Sequence, residues 1–472
     1  MSDLTGHVFT ANANSEFVWD RQLIERYDLS GPRYTSYPTA PQFSNQFGLL
    51  ELHNAFAASN RACTPLSLYF HIPFCSRVCY FCACNKIVTA NRKRSGPYLQ
   101  RLFREMEMKA ELLDNFRPVK QLHWGGGTPT FLSDDEMRQL MAKTREHFHL
   151  LDNDEGEYSI ELHPGDMNVE TIRCLREIGF NRLSMGVQDF DPVVQSAVNR
   201  FNSLEQVTEL IDAAREQGFA SISMDLIYGL PHQNWQSFSE TLDRIIELSP
   251  DRLSVFNYAH LPHLFKVQRQ INEAALPAAE EKLRMMEQSA LKLLDAGYRF
   301  IGMDHFAKPE DELSVAQQQG ELQRNFQGYS THSGCDMVAL GVSAISEIGS
   351  TLSQNHKNID DYYGAIDNGL LPLSQGTELN QDDRIRGRVI SQLICQFELD
   401  FQEVEQAFSI DFQRYFADEL YQLRAMETDG LLRISNHGIR IHPAGRLLIR
   451  RICMVFDAYV GGERQVRFSK II

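Results

Sequence analysis

Four of the nine cysteines fall within ten residues, at Cys75, Cys79, Cys82 and Cys84. The first three are spaced C-x3-C-x2-C. Thiolates are soft ligands that suit an iron–sulfur cluster or zinc. A structural zinc usually takes two separated ligand pairs that close a tetrahedron. One short loop can instead wrap a cubane, three irons held by thiolates and the fourth open to an exogenous ligand. Zinc stands as the alternative at this stage. Cys63, Cys174, Cys335, Cys395 and Cys453 are scattered singly and read as small buried hydrophobes. The odd count disfavours a full disulfide framework.

A second signal is Trp124-Gly125-Gly126-Gly127-Thr128-Pro129-Thr130. Three glycines let backbone approach a ligand closely, although a tight turn has the same composition. Its meaning depends on what precedes it.

Both motifs follow strand-like runs. Leu66–Ile72 leads into the cysteine loop, and Gln121–Trp124 leads into the glycines. Tyr158–Leu162, Arg182–Val187, Ser221–Ile227 and Arg252–Asn257 continue the series. Helical periodicity separates them: Leu99, Leu102, Phe103, Met106, Ala110 and Leu113; a helix opened by the capping box Ser133/Glu136; one from Asn168 to Gly179; one ending at Gly218; Trp235–Leu248; and one from Ala278 to Gly297. Six strand–helix units imply an α/β fold, a partial (β/α)6 TIM-like barrel with its chemistry at the carboxyl ends of the strands. Residues 1–60 carry turn chemistry and aromatics, Gly31 to Pro38 above all, and read as an ordered N-terminal extension over the active site. Residues 61–370 form the barrel with additional strands. Residues 371–472 read as a mainly helical, winged-helix-like C-terminal domain, with helices at 383–396, 401–407 and 411–427, a strand pair Leu431–Ile434 and Ile439–Ile441, and a helix from Ala444. That last helix is apolar, so a lid or packing role is favoured over DNA binding.

The chain of 472 residues has a net charge of −16. No global positive field exists to attract nucleic acid. No apolar run reaches the ~18 residues that span a bilayer. Met1 to Phe17 shows no charged-then-apolar export pattern, so a cytoplasmic protein is expected. An anionic substrate would need a locally basic pocket.

With these motifs in place, the sequence resembles the radical S-adenosylmethionine (SAM) superfamily, and within it the family of oxygen-independent coproporphyrinogen III oxidases of haem biosynthesis. The resemblance spans nearly the whole chain. It rests on Gly31–Thr39, Tyr69 to Cys75, Cys84, Gly125 to Thr130, Gly186 to Asp189, Asp225 to Pro231, Asn257 to His260, Gly302 to Ala307 and Arg324 to Tyr329. It implies a 4Fe–4S cluster on Cys75, Cys79 and Cys82 and two molecules of SAM. It places Tyr69, Phe81, Gly126, Gly127, Thr128, Glu161, Gln188, Arg200, Asp225 and Ala259 at the first SAM and Ile345 at the second. Cys84 and Tyr69 are the catalytic candidates. Cys84 is either a packing residue or a hydrogen or proton donor beside the substrate. The implied reaction turns two propionates of coproporphyrinogen III into vinyl groups, with electrons from a donor such as a flavodoxin or ferredoxin, in a monomer. Arg33 and Arg324 are candidates for holding substrate carboxylates, with surface ion pairing as the plainer alternative. A haem-delivery protein of the same fold is the rival reading. One departure stands out: after Glu161 the chain has His163 and Gly165, where close relatives often carry an acid and an arginine.

Overall fold

The runs of aliphatic and aromatic residues between 65 and 340 form strands: Leu66–Ile72 and Asp336–Leu340 are buried nearly throughout, whereas Glu157–Leu162 and Ser221–Tyr228 alternate between buried and half-buried positions. The structure is a computed structural model and describes residues 18–114 and 116–460. Met1–Phe17, the stretch read for export signals, lies outside the described residues.

The main-sheet strands that matter here are β1 (Leu66–Ile72), β2 (Pro118–Gly126), β3 (Glu157–Leu162), β4 (Arg182–Gln188), β5 (Ser221–Tyr228), β6 (Arg252–Asn257), β7 (Arg299–Gly302), β8 (His305–Ala307), β9 (Asp336–Leu340), β10 (Ile345–Ile348), β11 (Thr351–Asn355) and β12 (Leu373–Glu378). Their order across the sheet is β7-β8-β6-β5-β4-β3-β2-β1-β9-β10-β11-β12. The six expected strands run parallel, and a seventh, β9, adds parallel to the free side of β1. The strands beyond β6 and β9 are antiparallel. Among the described residues nothing joins β7 to β12, so the sheet is an open partial barrel.

Local chemistry sets the helix ends. The Ser133 hydroxyl accepts from the Glu136 N–H at 3.3 Å while the Glu136 carboxylate accepts from the Ser133 N–H at 2.9 Å, closing the capping box. Trp124 is fully buried and packs edge-on against Phe70 and Phe180.

Three expectations are corrected. A single helix was expected between β4 and Gly218; there are two, Pro192–Val198 and Leu204–Glu216. Asn199 ends the first in the left-handed region and Ser203 caps the second, so Arg200 leaves the helical surface. The terminal helix from Ala444 is broken into Pro443–Arg446, Ile449–Cys453 and a 3-10 turn, with Leu448, Ile449, Ile452, Cys453 and Phe456 buried. Cys63 is exposed in a left-handed cap and Cys335 is half-buried; only Cys174, Cys395 and Cys453 of the scattered five are core residues. The strand β12, beyond the boundary expected at 371, completes the main sheet. After it come the helices Gln381–Gln396, Phe401–Phe408 and Ala417–Thr428 and a three-stranded sheet of Glu398–Asp400, Gly438–Ile441 and Leu432–Ile434.

Candidate active site

β1 ends at Ile72, and the chain turns at once into the cysteine loop. Phe74–Cys75 pairs with Ile87–Val88, which pins both ends of the loop. Its middle is held from across the barrel mouth: the Tyr80 N–H donates to the Val198 carbonyl at 2.9 Å, and Asn199 Nδ2 donates to the Val78 carbonyl at 2.7 Å. Each thiol has its own neighbour. Thr128 Oγ1 lies 3.5 Å from Cys75 Sγ and Arg200 Nη1 lies 3.6 Å from Cys79 Sγ. Lys86 Nζ donates to the Cys82 carbonyl at 2.9 Å.

Burial pushes the Cys75 thiol up to about 11 and raises Cys79 as well, with Arg200 opposing the rise at Cys79. Cys82 is lowered to about 6, first by the hydrogen bond from Cys84 and then by Lys86 against a burial penalty. The same bond, with burial, holds Cys84 well above the ordinary thiol range. Among the described residues no three His, Cys, Asp or Glu side chains converge on a single-ion site.

The glycine motif closes against this loop. The Gly127 N–H donates to the Ile72 carbonyl and the Thr128 N–H to the Phe74 carbonyl, each at 2.8 Å. A Cβ on Gly127 would stand 2.7 Å from the backbone of Pro73 and Phe74. Glycine is required here by close approach, whatever the turn type. The Gly126 N–H donates to Glu161 Oε2 at 3.1 Å, and His123 Nε2 lies 3.2 Å from Oε1. Burial would raise the Glu161 carboxyl, but His123 and the Gly126 N–H overcome it and hold the group below its usual range.

Tyr69 and His71 stand two residues apart on β1 and share one face. Tyr69 Oη is 3.1 Å from His71 Nδ1, His71 Nε2 is 2.9 Å from the Asn85 carbonyl, and the Tyr69 ring stacks on His123. Because Asn85 offers only an acceptor, Nε2 carries the proton and Nδ1 accepts from the tyrosine. Tyr69, Cys84, Gly126, Glu161 and Ile345 line one cavity of about 530 Å³. Cys84 is reachable by solvent from this cavity although protein surrounds it.

The other strand ends supply polar atoms without partners. Gln188 sits at a bulge between β4 and β5 with a positive φ of 70°. Gln188 Oε1, Arg200 Nε and Asn257 Oδ1 are buried and lack a hydrogen-bond partner. Asp225 is raised to about 6, chiefly by burial, with Ser254 and Ser184 opposing and Glu161 adding. Gln268 Nε2 bridges the carbonyls of Phe81 and Ala259 at 3.0 and 3.2 Å. Orphaned donors and acceptors facing a three-thiol loop fit a polar zwitterionic ligand on a cluster. His163 is buried and kept neutral, lowered to about 3 by burial first and then by Arg200 and Arg77. Its Nδ1 accepts the Gly165 N–H at 3.1 Å, so the unusual pair caps its own turn.

The arginines separate. Arg33 pairs with Asp304 at 3.0 Å and lines a cavity of about 440 Å³ with Asn257, Ala259, Lys282 and Arg450. Arg324 stacks 4.7 Å over Tyr329, donates to the Arg33 carbonyl at 3.4 Å, and keeps a buried Nη1 without a partner. Sequence reasoning quoted His71 and Asn257 within its motifs without giving them a role, and missed His123, Gln268 and Lys282. The period-2 alternation of β1 was a signal for His71; the others are placed by the sheet register and long loops.

Residues 69–245 match the model of the Radical SAM superfamily, and residues 379–448 match that of the HemN C-terminal domain. Fold and site together make this a radical SAM protein, an oxidoreductase whose cofactors are a 4Fe–4S cluster and SAM. The chain is 54% identical over 96% of its length, and 99% of the relative's, to the oxygen-independent coproporphyrinogen III oxidase of Pseudomonas aeruginosa. It is 49% identical to that of Escherichia coli over 96% of this chain and 98% of the relative. A solved structure of coproporphyrinogen III oxidase from E. coli, described as a radical SAM enzyme, superimposes with a TM-score of 0.90 at 48% identity, covering 94% of this chain and all of that one. The chain belongs to the family of oxygen-independent coproporphyrinogen III oxidases. None of the helices among the described residues is long and apolar enough to cross a membrane.

Proposed function

We propose that this protein converts two propionate side chains of coproporphyrinogen III to vinyl groups, giving protoporphyrinogen IX without oxygen. The observation that carries the reading is the three-thiol loop facing orphaned polar groups across the barrel mouth, in a chain so close to enzymes named for this substrate. Cys75, Cys79 and Cys82 hold the cluster. Gly126, Gly127, Thr128, Glu161, Gln188, Arg200, Asp225, Phe81, Ala259 and Tyr69 hold SAM, and Ile345 contacts a second SAM in the cavity it shares with Tyr69 and Cys84. Held by these residues, a reduced cluster with SAM would supply radical chemistry able to remove a hydrogen atom from a propionate. Overall each propionate loses a hydrogen atom, carbon dioxide and one electron, the last passing to a one-electron acceptor outside the chain, and is left as a vinyl group.

The chain's own residues bind, orient and shield. Gly126 and Glu161 fix a strand-end geometry that a ligand amino or carboxylate group can meet. Arg33 exchanges Asp304 for a substrate carboxylate, and the buried Nη1 of Arg324 holds another; the arginine fork suits both. Cys84 keeps its proton and stands as a donor facing the cavity. Residues 18–60 of the extension and 379–460 of the C-terminal domain pack over the barrel and exclude water. We assign a cytoplasmic monomer fed by a flavodoxin or ferredoxin.

The test is anaerobic turnover of coproporphyrinogen III by the cluster-loaded protein, counting 5′-deoxyadenosine and carbon dioxide per vinyl. The expected outcome is one of each per vinyl. SAM cleavage without vinyl products, or stable retention of haem, would assign a delivery role instead.

A further inference from the structure

From Leu52 to Arg104 the chain has no aspartate or glutamate and eight lysines and arginines, in a protein whose net charge is −16. The fold gathers five of the eight around the cysteine loop. The Ile87 N–H donates to the Pro73 carbonyl at 2.7 Å and the Thr89 N–H to the Cys75 carbonyl at 2.9 Å, which lays this segment along the loop. The turn Arg92–Arg94 follows. Arg92 Nη2 lies 3.5 Å from Ser76 Oγ, and its guanidinium stacks 4.7 Å over Phe131. Lys86 bonds the Cys82 carbonyl. Arg77, Lys93 and Arg94 are exposed, and among the described residues none of them is in an ion pair. By contrast Arg101 and Arg104, further along, pair with Asp367 and Glu107. Val88, 44% exposed, adds an apolar spot beside Cys75.

We propose that this basic surface, Arg77 with Arg92–Arg94 around Val88, docks an acidic one-electron carrier protein that reduces the cluster. The proposal rests on the reading above, since only a redox cluster needs an outside electron. Charge complementarity identifies the partner: an acidic protein is repelled by the rest of this chain and attracted here. Position identifies the purpose, because the Thr89 N–H joins the surface to the carbonyl of a cluster-ligand residue. None of these basic residues lines the cavity of Arg33 and Arg450, so attraction of the anionic substrate does not account for them. In the step the carrier loses one electron, the cluster gains one, and no bond forms or breaks.

The test uses the full chain with Lys93→Glu and Arg94→Glu combined. Cluster bleaching near 400 nm is followed by anaerobic stopped flow after mixing with reduced flavodoxin, reduced two-iron ferredoxin, or dithionite. At low ionic strength the variant should be reduced at least about tenfold more slowly than the parent by the acidic carrier. The gap should close in high salt, where exposed charges are screened, and dithionite should reduce both chains equally. Carbodiimide coupling of the carrier's carboxylates to Lys93 should occur on the metal-free chain as well. Equal rates with the carrier at low salt, equal slowing with dithionite, or no reduction of the parent by either carrier would overturn the proposal. So would binding of single-stranded RNA at the patch with carrier reduction unaffected. No porphyrinogen is present in these measurements, so a wrong substrate leaves their outcome untouched.

Discussion

The guanidinium of Arg200 bridges the cysteine loop and β4: Nη1 lies 3.6 Å from Cys79 Sγ, and Nη2 donates to the Gly186 carbonyl. A positive donor on a ligand sulfur stabilises the more negative, reduced cluster. A hydrogen bond to a charged group contributes about 1.5 kcal/mol or more. Since about 1.4 kcal/mol is one decade and about 59 mV for one electron, Arg200→Gln should lower the cluster potential by about 60 mV. A potentiometric titration followed by electron paramagnetic resonance checks this. An unchanged potential would leave the arginine serving Gly186 alone.

Gly127 touches the cluster loop through backbone, and backbone cannot yield as a side chain can. Gly127→Ala should fold yet lose most of its iron, because the new methyl displaces Pro73 and Phe74 just before Cys75. Iron and sulfide per chain after reconstitution is the measurement. Full occupancy would mean that the loop has slack.

Asp225 is raised to about 6 by burial. An acid with a raised folded value is protonated in the fold before it is in the unfolded chain. Its favourable contribution is therefore complete below the unfolded value near 4 and is lost as pH rises through about 6. Asp225→Asn should stabilise the metal-free protein at pH 7 to 8 while weakening SAM binding. Melting temperature against pH for both proteins, with SAM affinity of the cluster-loaded forms, tests it. A variant less stable at pH 8 would refute the sign.

His163 has the opposite dependence. Its folded value is lowered to about 3, so it contributes fully above the unfolded value near 6.5 and less as pH falls. The slope should be about 1.4 kcal/mol per pH unit between about 6 and 4. His163→Gln should flatten that part of the profile. Parallel profiles would show that the imidazole becomes charged within the fold.

Arg33→Ala frees Asp304 and removes the extension's guanidinium from the 440 Å³ cavity. KM for coproporphyrinogen III should rise about tenfold or more, with iron content and substrate-free SAM cleavage unchanged. Unaltered KM and kcat would return Arg33 to ion pairing alone.

The strand–helix alternation was legible because each parallel strand is apolar and each helix keeps its own caps, as at Ser133 and Asn168. The cluster loop was legible for a related reason: ligand spacing is local. What depends on partners distant in sequence was not. Asp336–Leu340 is an ordinary short strand, and only the finished sheet puts it beside β1. His123 reads as one polar residue in a strand until Glu161 arrives from β3 and Tyr69 from β1. Arg33 and Arg324 suggested anion binding, yet the Asp304 partner of Arg33 lies far along the chain. The break at Asn199 is hidden in the sequence because both sides of it have good helical periodicity.

Arg450, near the end of the described chain, donates to the carbonyls of Gly31 and Pro32, the two residues before Arg33. The thiol loop and its glycines are complete hundreds of residues earlier. During synthesis on a ribosome, Asp304 therefore meets the Arg33 guanidinium well before Arg450 arrives to fix the backbone of the two residues that precede it. A polypeptide cut before residue 450 would keep the thiol loop and the Arg33–Asp304 pair but lose the tie that holds Gly31 and Pro32.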